Sequence, residues 1–271
     1  MKLYYSVDMK KETSWGGVAD WYDELLESSA DSFQVKVILP NLLRILNIRK
    51  ENSQKMKIID IACGQGYFSR AFAEAGAEVT GCDISEELIK VAKERSPKIN
   101  FNVASADKLT FAQSASYDVA IIILSLQNIE NFSGVLNECS RVLKQKGRLI
   151  VVLNHPTFRI PQRSSWGWED LPAQSGKKSK QYRRIDSYLK EYKIAIDMTP
   201  GEKDKSRKQT TISFHRPLQL YFKFLHQAGF TVNSLEEWTS HKKSQKGPRS
   251  VEEDRIRKEI PMFLMLEAKK V

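Results

Sequence analysis

Cysteine is scarce in this chain of 271 residues. Cys63, Cys82 and Cys139 stand far apart, in no paired metal-ligand spacing, which argues against a thiolate metal cage and a disulfide framework. No run of eighteen apolar residues occurs, which excludes a membrane-spanning helix, and Met1–Ser6 starts without the apolar run of a secretory leader. Low-complexity tracts and internal repeats are missing too, so solenoid architectures fall away. A reduced, cytoplasmic protein without a bound metal is the expectation.

The hydrophobic share of 41% is enough for a sizeable core, and the length fits one α/β domain with an insertion better than two full domains. The net charge of +10 is compatible with nucleic acid, an anionic lipid surface or an acidic small substrate. Much of it sits in residues 155–210, where 13 Lys and Arg face 7 Asp and Glu. For the Lys177–Lys180 run the plain reading is a solvated loop.

The densest information lies in Lys57–Phe68, Lys-Ile-Ile-Asp-Ile-Ala-Cys-Gly-Gln-Gly-Tyr-Phe. It reads as a short buried strand, a glycine turn and a helix. Gly64 and Gly66 allow positive φ and close approach of backbone to a ligand, and the helix start directs free amide groups into the same crevice. Such a unit binds a nucleotide-like cofactor at the carboxyl end of a parallel strand. Ser69 occupies the third position of a Gly-x-Gly-x-x-Gly pattern, which counts against a nicotinamide dinucleotide. Asp83 ends a second strand and is placed to accept hydrogen bonds from ribose hydroxyls.

Periodicity predicts helix over much of 15–47, with Trp15, Trp21 and Tyr22 on an apolar stripe and Pro40 in the first turn of a further helix. Strands are expected at 57–61, 78–82, 99–103, 118–124 and 148–153. Helices are expected at 67–75, after Ser85 and at 131–143. A helix from Arg216–Phe222 to Gly229, then strands near 230–235 and 261–268, complete the series. Alternation at Ile185, Ser187 and Leu189 predicts a strand paired with 193–198.

Residues 56–153 and 215–271 resemble the class I S-adenosylmethionine-dependent methyltransferases, nearest to the branch of quinone-biosynthesis and other small-molecule methylases. The Asp-x-Ala-Cys-Gly-x-Gly run from Asp60 to Gly66 matches the family's first motif, with Ala62 in place of the commoner first glycine. Asp83 matches its ribose-binding acid. Ser105–Phe111 matches the adenine-contacting segment, with the usual acid aligned to Ser105 and Asp107 two places later. Tyr117–Leu124 matches the fourth strand.

The resemblance implies an α/β fold: a Rossmann-like, seven-stranded, mostly parallel sheet with an antiparallel last strand. It implies an N-terminal helical cap (1–50), a main domain (51–154 and 214–271) and an inserted β-rich lid after strand five (155–213). S-adenosylmethionine would be the cofactor and S-adenosylhomocysteine its product. The donor residues would be Asp60, Ala62, Gly64, Gly66, Asp83, Ile84, Ser105, Ala106, Asp107, Leu124 and Gln127, with Tyr22 from the cap.

His155, after strand five, and His215 are the candidate general bases, since imidazole titrates near neutral pH; structural hydrogen bonding competes as an account of each. Trp166 and Trp168 beside arginines point to a planar or anionic small-molecule substrate, although packing explains the tryptophans equally well. Two rivals stand beside small-molecule methylation. A nucleic-acid methylase fits the charge, but Asn-Pro-Pro-Tyr-like and Pro-Cys motifs are missing, as is a recognisable RNA-binding module. The second is a donor-binding regulator or scaffold without transfer activity, and nothing in the cofactor motifs is visibly broken.

Overall fold

The computed structural model describes residues 31–49, 54–173, 176–199 and 209–271. The expectations for Trp15, Trp21 and Tyr22 lie outside those residues. A π-helical turn, Gln34–Ile38, runs into α1 (Leu39–Leu46), followed by β1 (Lys57–Ile61), α2 (Tyr67–Glu74), β2 (Glu78–Asp83), α3 (Glu86–Arg95), β3 (Asn100–Val103) and β4 (Tyr117–Ile123). A 3-10 turn, Leu126–Asn128, leads to α4 (Phe132–Val142), β5 (Leu143–Asn154), β6 (Ser164–Ala173), β7 (Gly176–Ile185), β8 (Tyr192–Asp197) and β9 (Thr210–His215). The chain closes with α5 (Leu218–Gln227), β10 (Phe230–Trp238), α6 (Ser250–Glu259) and β11 (Phe263–Lys270).

The central sheet runs β10-β11-β5-β4-β1-β2-β3. Strands β1 to β5 pair in parallel, while β11 is antiparallel to both β5 and β10. Alternation along the strands divides the core in two, because successive side chains leave a strand on opposite faces. Ile59, Ile61, Ala120, Ile122, Leu149 and Val151 pack with Phe132, Leu136, Tyr221 and Leu225 of α4 and α5. Ile58, Val119, Ile121, Ile150 and Val152 pack with Leu42 and Leu46 of α1 and with Phe68 and Phe72 of α2. A parallel sheet needs cover on both faces, and these two layers supply it. Among the described residues no helix is long and apolar enough to cross a membrane.

Two expectations are corrected. The last two strands do not follow each other directly, since α6 lies between them. Ile185 ends β7, and residues 186–189 do not form the strand expected there: Ser187 has φ of 55° and Leu189 is 68% exposed. The partner of β8 is β9, with Tyr192 opposite His215 and Asp197 opposite Thr210. A second hairpin, β6–β7, fills the stretch around the tryptophans, with Ser164 opposite Ile185. It docks on α6, where the Gln181 amide donates to Glu252 at 2.9 Å and Arg249 lies 4.7 Å from the Trp168 ring.

Candidate active site

Strand β1 delivers Asp60 into the carboxyl end of the sheet, and the chain then turns through left-handed backbone at Ala62, Gly64 and Gly66 (φ 58°, 57° and 80°). The turn is fastened to β2 by the Cys63 amide, which donates to the Cys82 carbonyl, and by the Gly64 amide, which donates to Asp83 Oδ2, each at 2.9 Å. The Ser85 amide donates to Asp83 Oδ1 at 2.9 Å. One buried carboxylate thus ties the glycine turn to the start of α3, where Ser85 Oγ accepts the Leu88 amide as the helix cap. Burial pushes the Asp83 carboxyl up, against the lowering effect of these amides.

Asp60 is 2% exposed and accepts from Ser69 Oγ at 2.5 Å. Burial and the neighbouring Asp83 outweigh that bond and raise its carboxyl to about 7. Ser69 therefore serves to hold the acid at the end of β1.

Above these strand ends opens a cavity of about 560 Å³. It is lined by Asp60, Ala62, Gly64, Asp83, Ile84, Ser105, Ala106, Asp107 and Leu124, so nine of the expected donor residues converge on one space. Ser105 and Asp107 act as a unit there. Ser105 Oγ donates to Asp107 Oδ1 at 2.5 Å, and Asn131 Nδ2 donates to Oδ2 at 2.6 Å. Ile84, 40% exposed, and the left-handed Leu124 (φ 54°) supply apolar wall. Gly66 lies behind the cavity instead of lining it: a Cβ there would meet Phe101 Cζ at 2.8 Å.

The sequence reading missed Phe68, Leu88, Ile129 and Asn131 in this wall. Asn131 was within reach, because its Oδ1 caps α4 by accepting the Gly134 amide and such caps leave a signature. The apolar residues carry no such mark.

A smaller cavity of about 160 Å³ adjoins the first and shares Leu124 and Asn128 with it. Gln127, expected among the donor residues, lines this second space, as does His215. Its roof includes Ile196 of β8 and Ser213 of β9. Asn128 Nδ2 donates to the Ile212 carbonyl at 3.1 Å, and Lys193 pairs with Glu130, so the β8–β9 hairpin is seated on the turn after β4.

The two histidines differ. His155 is 2% exposed and lines neither cavity. Its Nδ1 accepts the Thr157 amide at 3.2 Å, and its Nε2 meets Glu237 Oε1 at 2.7 Å, which makes Nε2 the protonated nitrogen. Both nitrogens are thus occupied in holding the chain after β5. His215 Nε2 meets the Tyr188 carbonyl at 2.7 Å, which fixes the proton there and leaves Nδ1 as an acceptor. Burial holds both imidazoles below their ordinary pKa.

Residues 59–151 match the family described as "Methyltransferase domain", a match that stops short of β6–β9. The demethylmenaquinone methyltransferase of Paenarthrobacter aurescens is 39% identical over 105 residues, 38% of this chain and 41% of the relative. The ubiquinone biosynthesis O-methyltransferase of Xanthomonas oryzae is 31% identical over 99 residues, 35% of this chain and 41% of its own. The chain thus spans about two fifths of the length of these curated relatives. Among solved structures, an S-adenosylmethionine dependent methyltransferase from Mesorhizobium loti superposes with a TM-score of 0.61 at 23% identity, covering 90% of this chain and all of its own, a likeness of fold. Motifs, sheet order and relatives agree on a methyltransferase domain at residues 59–151, similar to the class I, S-adenosylmethionine-dependent methyltransferases.

Proposed function

We propose that the protein transfers a methyl group from S-adenosylmethionine to a small-molecule acceptor. The observation that carries this reading is the convergence of Asp60, Asp83 and the Ser105–Asp107 pair on one cavity at the carboxyl ends of β1, β2 and β4. Its volume is in the range of small-ligand sites. The donor set fits an adenosine with an amino-acid tail. Asp83 offers carboxylate lone pairs to vicinal hydroxyls, Ile84 offers an apolar flank to a base, and Asp107 with Ser105 offers polar atoms to its edge.

When bound, S-adenosylmethionine supplies a methyl group already activated on a sulfonium centre. The protein's own residues then have to align, shield and, where the acceptor keeps its proton, deprotonate. The β8–β9 hairpin, which begins inside the proposed lid 155–213 and ends two residues beyond it, roofs the acceptor space. His215 is the proposed base, because its tautomer leaves Nδ1 a lone pair and its lowered pKa keeps the ring neutral at pH 7. His155 is assigned to structure.

Asp60 gives the donor site a pH dependence. Its folded pKa, about 7, lies above the unfolded value, so in the empty protein it contributes stability at acid pH that is lost as pH rises through about 7. A ligand bearing an ammonium group favours the ionised form. S-adenosylhomocysteine should therefore bind on the order of tenfold more tightly at pH 8 than at pH 6, with proton release at pH 7. Calorimetry in two buffers of different ionisation enthalpy reads both; affinity flat across this range would sink the assignment.

The reading itself is tested by label transfer from methyl-tritiated donor into host-cell extract, fractionated into organic-soluble, small polar, nucleic-acid and protein pools. Label is expected in a small-molecule pool, and His215→Asn should lower that transfer at every pH tested from 6 to 8. Nuclease-sensitive label would instead favour RNA methylation, to which the charge of +10 lends itself.

A further inference from the structure

The second cavity is unusual in its charge. Arg159 and Arg216 line it together with Gln127, Phe214, His215 and Tyr221, and no acidic residue does among those described. Arg159 is an exposed residue whose guanidinium has no hydrogen-bond or ion-pair partner among the described residues, and partial desolvation on its protein side pulls its pKa down. Arg183 stands near enough to feel it as a like charge.

Arg216 is 6% exposed, with its guanidinium between the Phe132 and Phe214 rings at 5.0 and 5.2 Å. Nη2 donates to the Ile129 and Glu130 carbonyls at 2.9 and 3.0 Å, whereas Nη1 is buried without a partner. Burial lowers this guanidinium's pKa, and the Tyr221 hydroxyl and Glu191 offset only part of that.

A buried guanidinium with one nitrogen unpartnered costs free energy even with Glu191 and Glu130 acting on it through space. Here the missing neighbours cluster. The buried side-chain atoms without partners include Nη1 of Arg216 and Oε1 of Gln127, two residues that line this cavity, Oγ of Ser125, which lines the first, and the hydroxyl of Tyr192, whose ring lies 5.0 Å from that of His215. The first of these can only donate and the second can only accept.

We propose that the second cavity seats the methyl acceptor and takes a ring-sized molecule bearing a carboxylate, held by Arg159 and Arg216, with a donor group toward Gln127. This rests on the methyl-transfer reading above. A cavity of about 160 Å³ matches the roughly 150 Å³ that holds a benzene ring. Phe214, Tyr221 and Ile196 supply apolar wall, and the planar guanidinium fork matches a carboxylate in a way a lysine would not. The wall shared at Leu124 and Asn128 puts the far side of such a ring toward the donor cavity.

The probe is benzoate, with benzamide as its neutral isostere, titrated by NMR into the full chain saturated with S-adenosylhomocysteine. Benzoate is expected to bind at least tenfold more tightly than benzamide. Arg159→Gln should weaken benzoate at least fivefold while S-adenosylhomocysteine affinity, read by calorimetry, stays within twofold. This variant carries the test because the Arg159 guanidinium holds no other described group, whereas Arg216 also ties the Ile129 and Glu130 carbonyls. Equal binding of benzoate and benzamide, no binding of either, or unchanged benzoate affinity in Arg159→Gln would overturn the proposal. Failure of the unaltered chain to bind S-adenosylhomocysteine would instead sink the methyl-transfer reading, and calorimetry shows that separately from the benzoate result.

Discussion

Replacement of Asp83 by alanine should weaken S-adenosylhomocysteine binding at least tenfold. The carboxylate closes β2 at 8% exposure and offers the cavity its acceptor oxygens. A hydrogen bond to a charged group contributes about 1.5–3 kcal/mol, so losing even one costs on the order of ten- to hundredfold in affinity. The same change strips acceptors from the Gly64 and Ser85 amides, both held at 2.9 Å, which loosens the glycine turn. Asp83→Asn separates the two contributions. It keeps an acceptor for one of those amides while removing the charge, so it should retain more stability than Asp83→Ala yet still lose donor affinity. Calorimetry with a thermal melt on each variant reads this. Affinity within twofold of the unaltered chain would remove Asp83 from the donor site.

Gly66→Ala should cost about 2–4 kcal/mol of stability, summed from left-handed backbone and overpacking. With φ at 80°, an L-residue at this position is strained before any contact is considered. The added Cβ would also press on Phe101 at 2.8 Å and on Ala92 Cβ at 3.3 Å. Phe101 cannot retreat. Its ring is 2% exposed, packs with Ile89 and Ala92, and is already so close to Gly81 that a Cβ there would fall 2.5 Å away. A fall in Tm on the order of 10 °C is expected by differential scanning calorimetry. The double variant Gly66→Ala with Phe101→Leu should lose less than the sum of its parts, because the smaller side chain admits the methyl group. A fall below about 2 °C would mean that the turn shifts at little cost.

Sequence reading succeeded where a local rule had one outcome. Gly64 and Gly66 follow an apolar run, Ser85 precedes Glu86 and Glu87, and Gly76 and Gly229 end helices; each is a short-range instruction, and each lies where expected. The β6–β7 hairpin gave no such instruction. Its order comes from Arg183 lying 4.7 Å from the Trp166 ring and from docking on α6, contacts between residues far apart in the chain. Helix α6 was equally silent. It buries Ile256 alone, so no apolar stripe marks it, and Arg255 holds it by pairing with Glu252 and Glu259.

The candidate site divides along the same line. Local sequence is sufficient for the glycine turn and the acids at the ends of β1 and β2, because strand period and positive φ act over a few residues. Long-range packing put His215 and not His155 on a cavity wall, placed Gln127 on the second space, and brought Arg159 and Arg216 to the lining of that same space. Those placements depend on how the β8–β9 hairpin seats on the turn after β4. That seating is a long-range fit of surfaces, which no periodicity in the chain encodes.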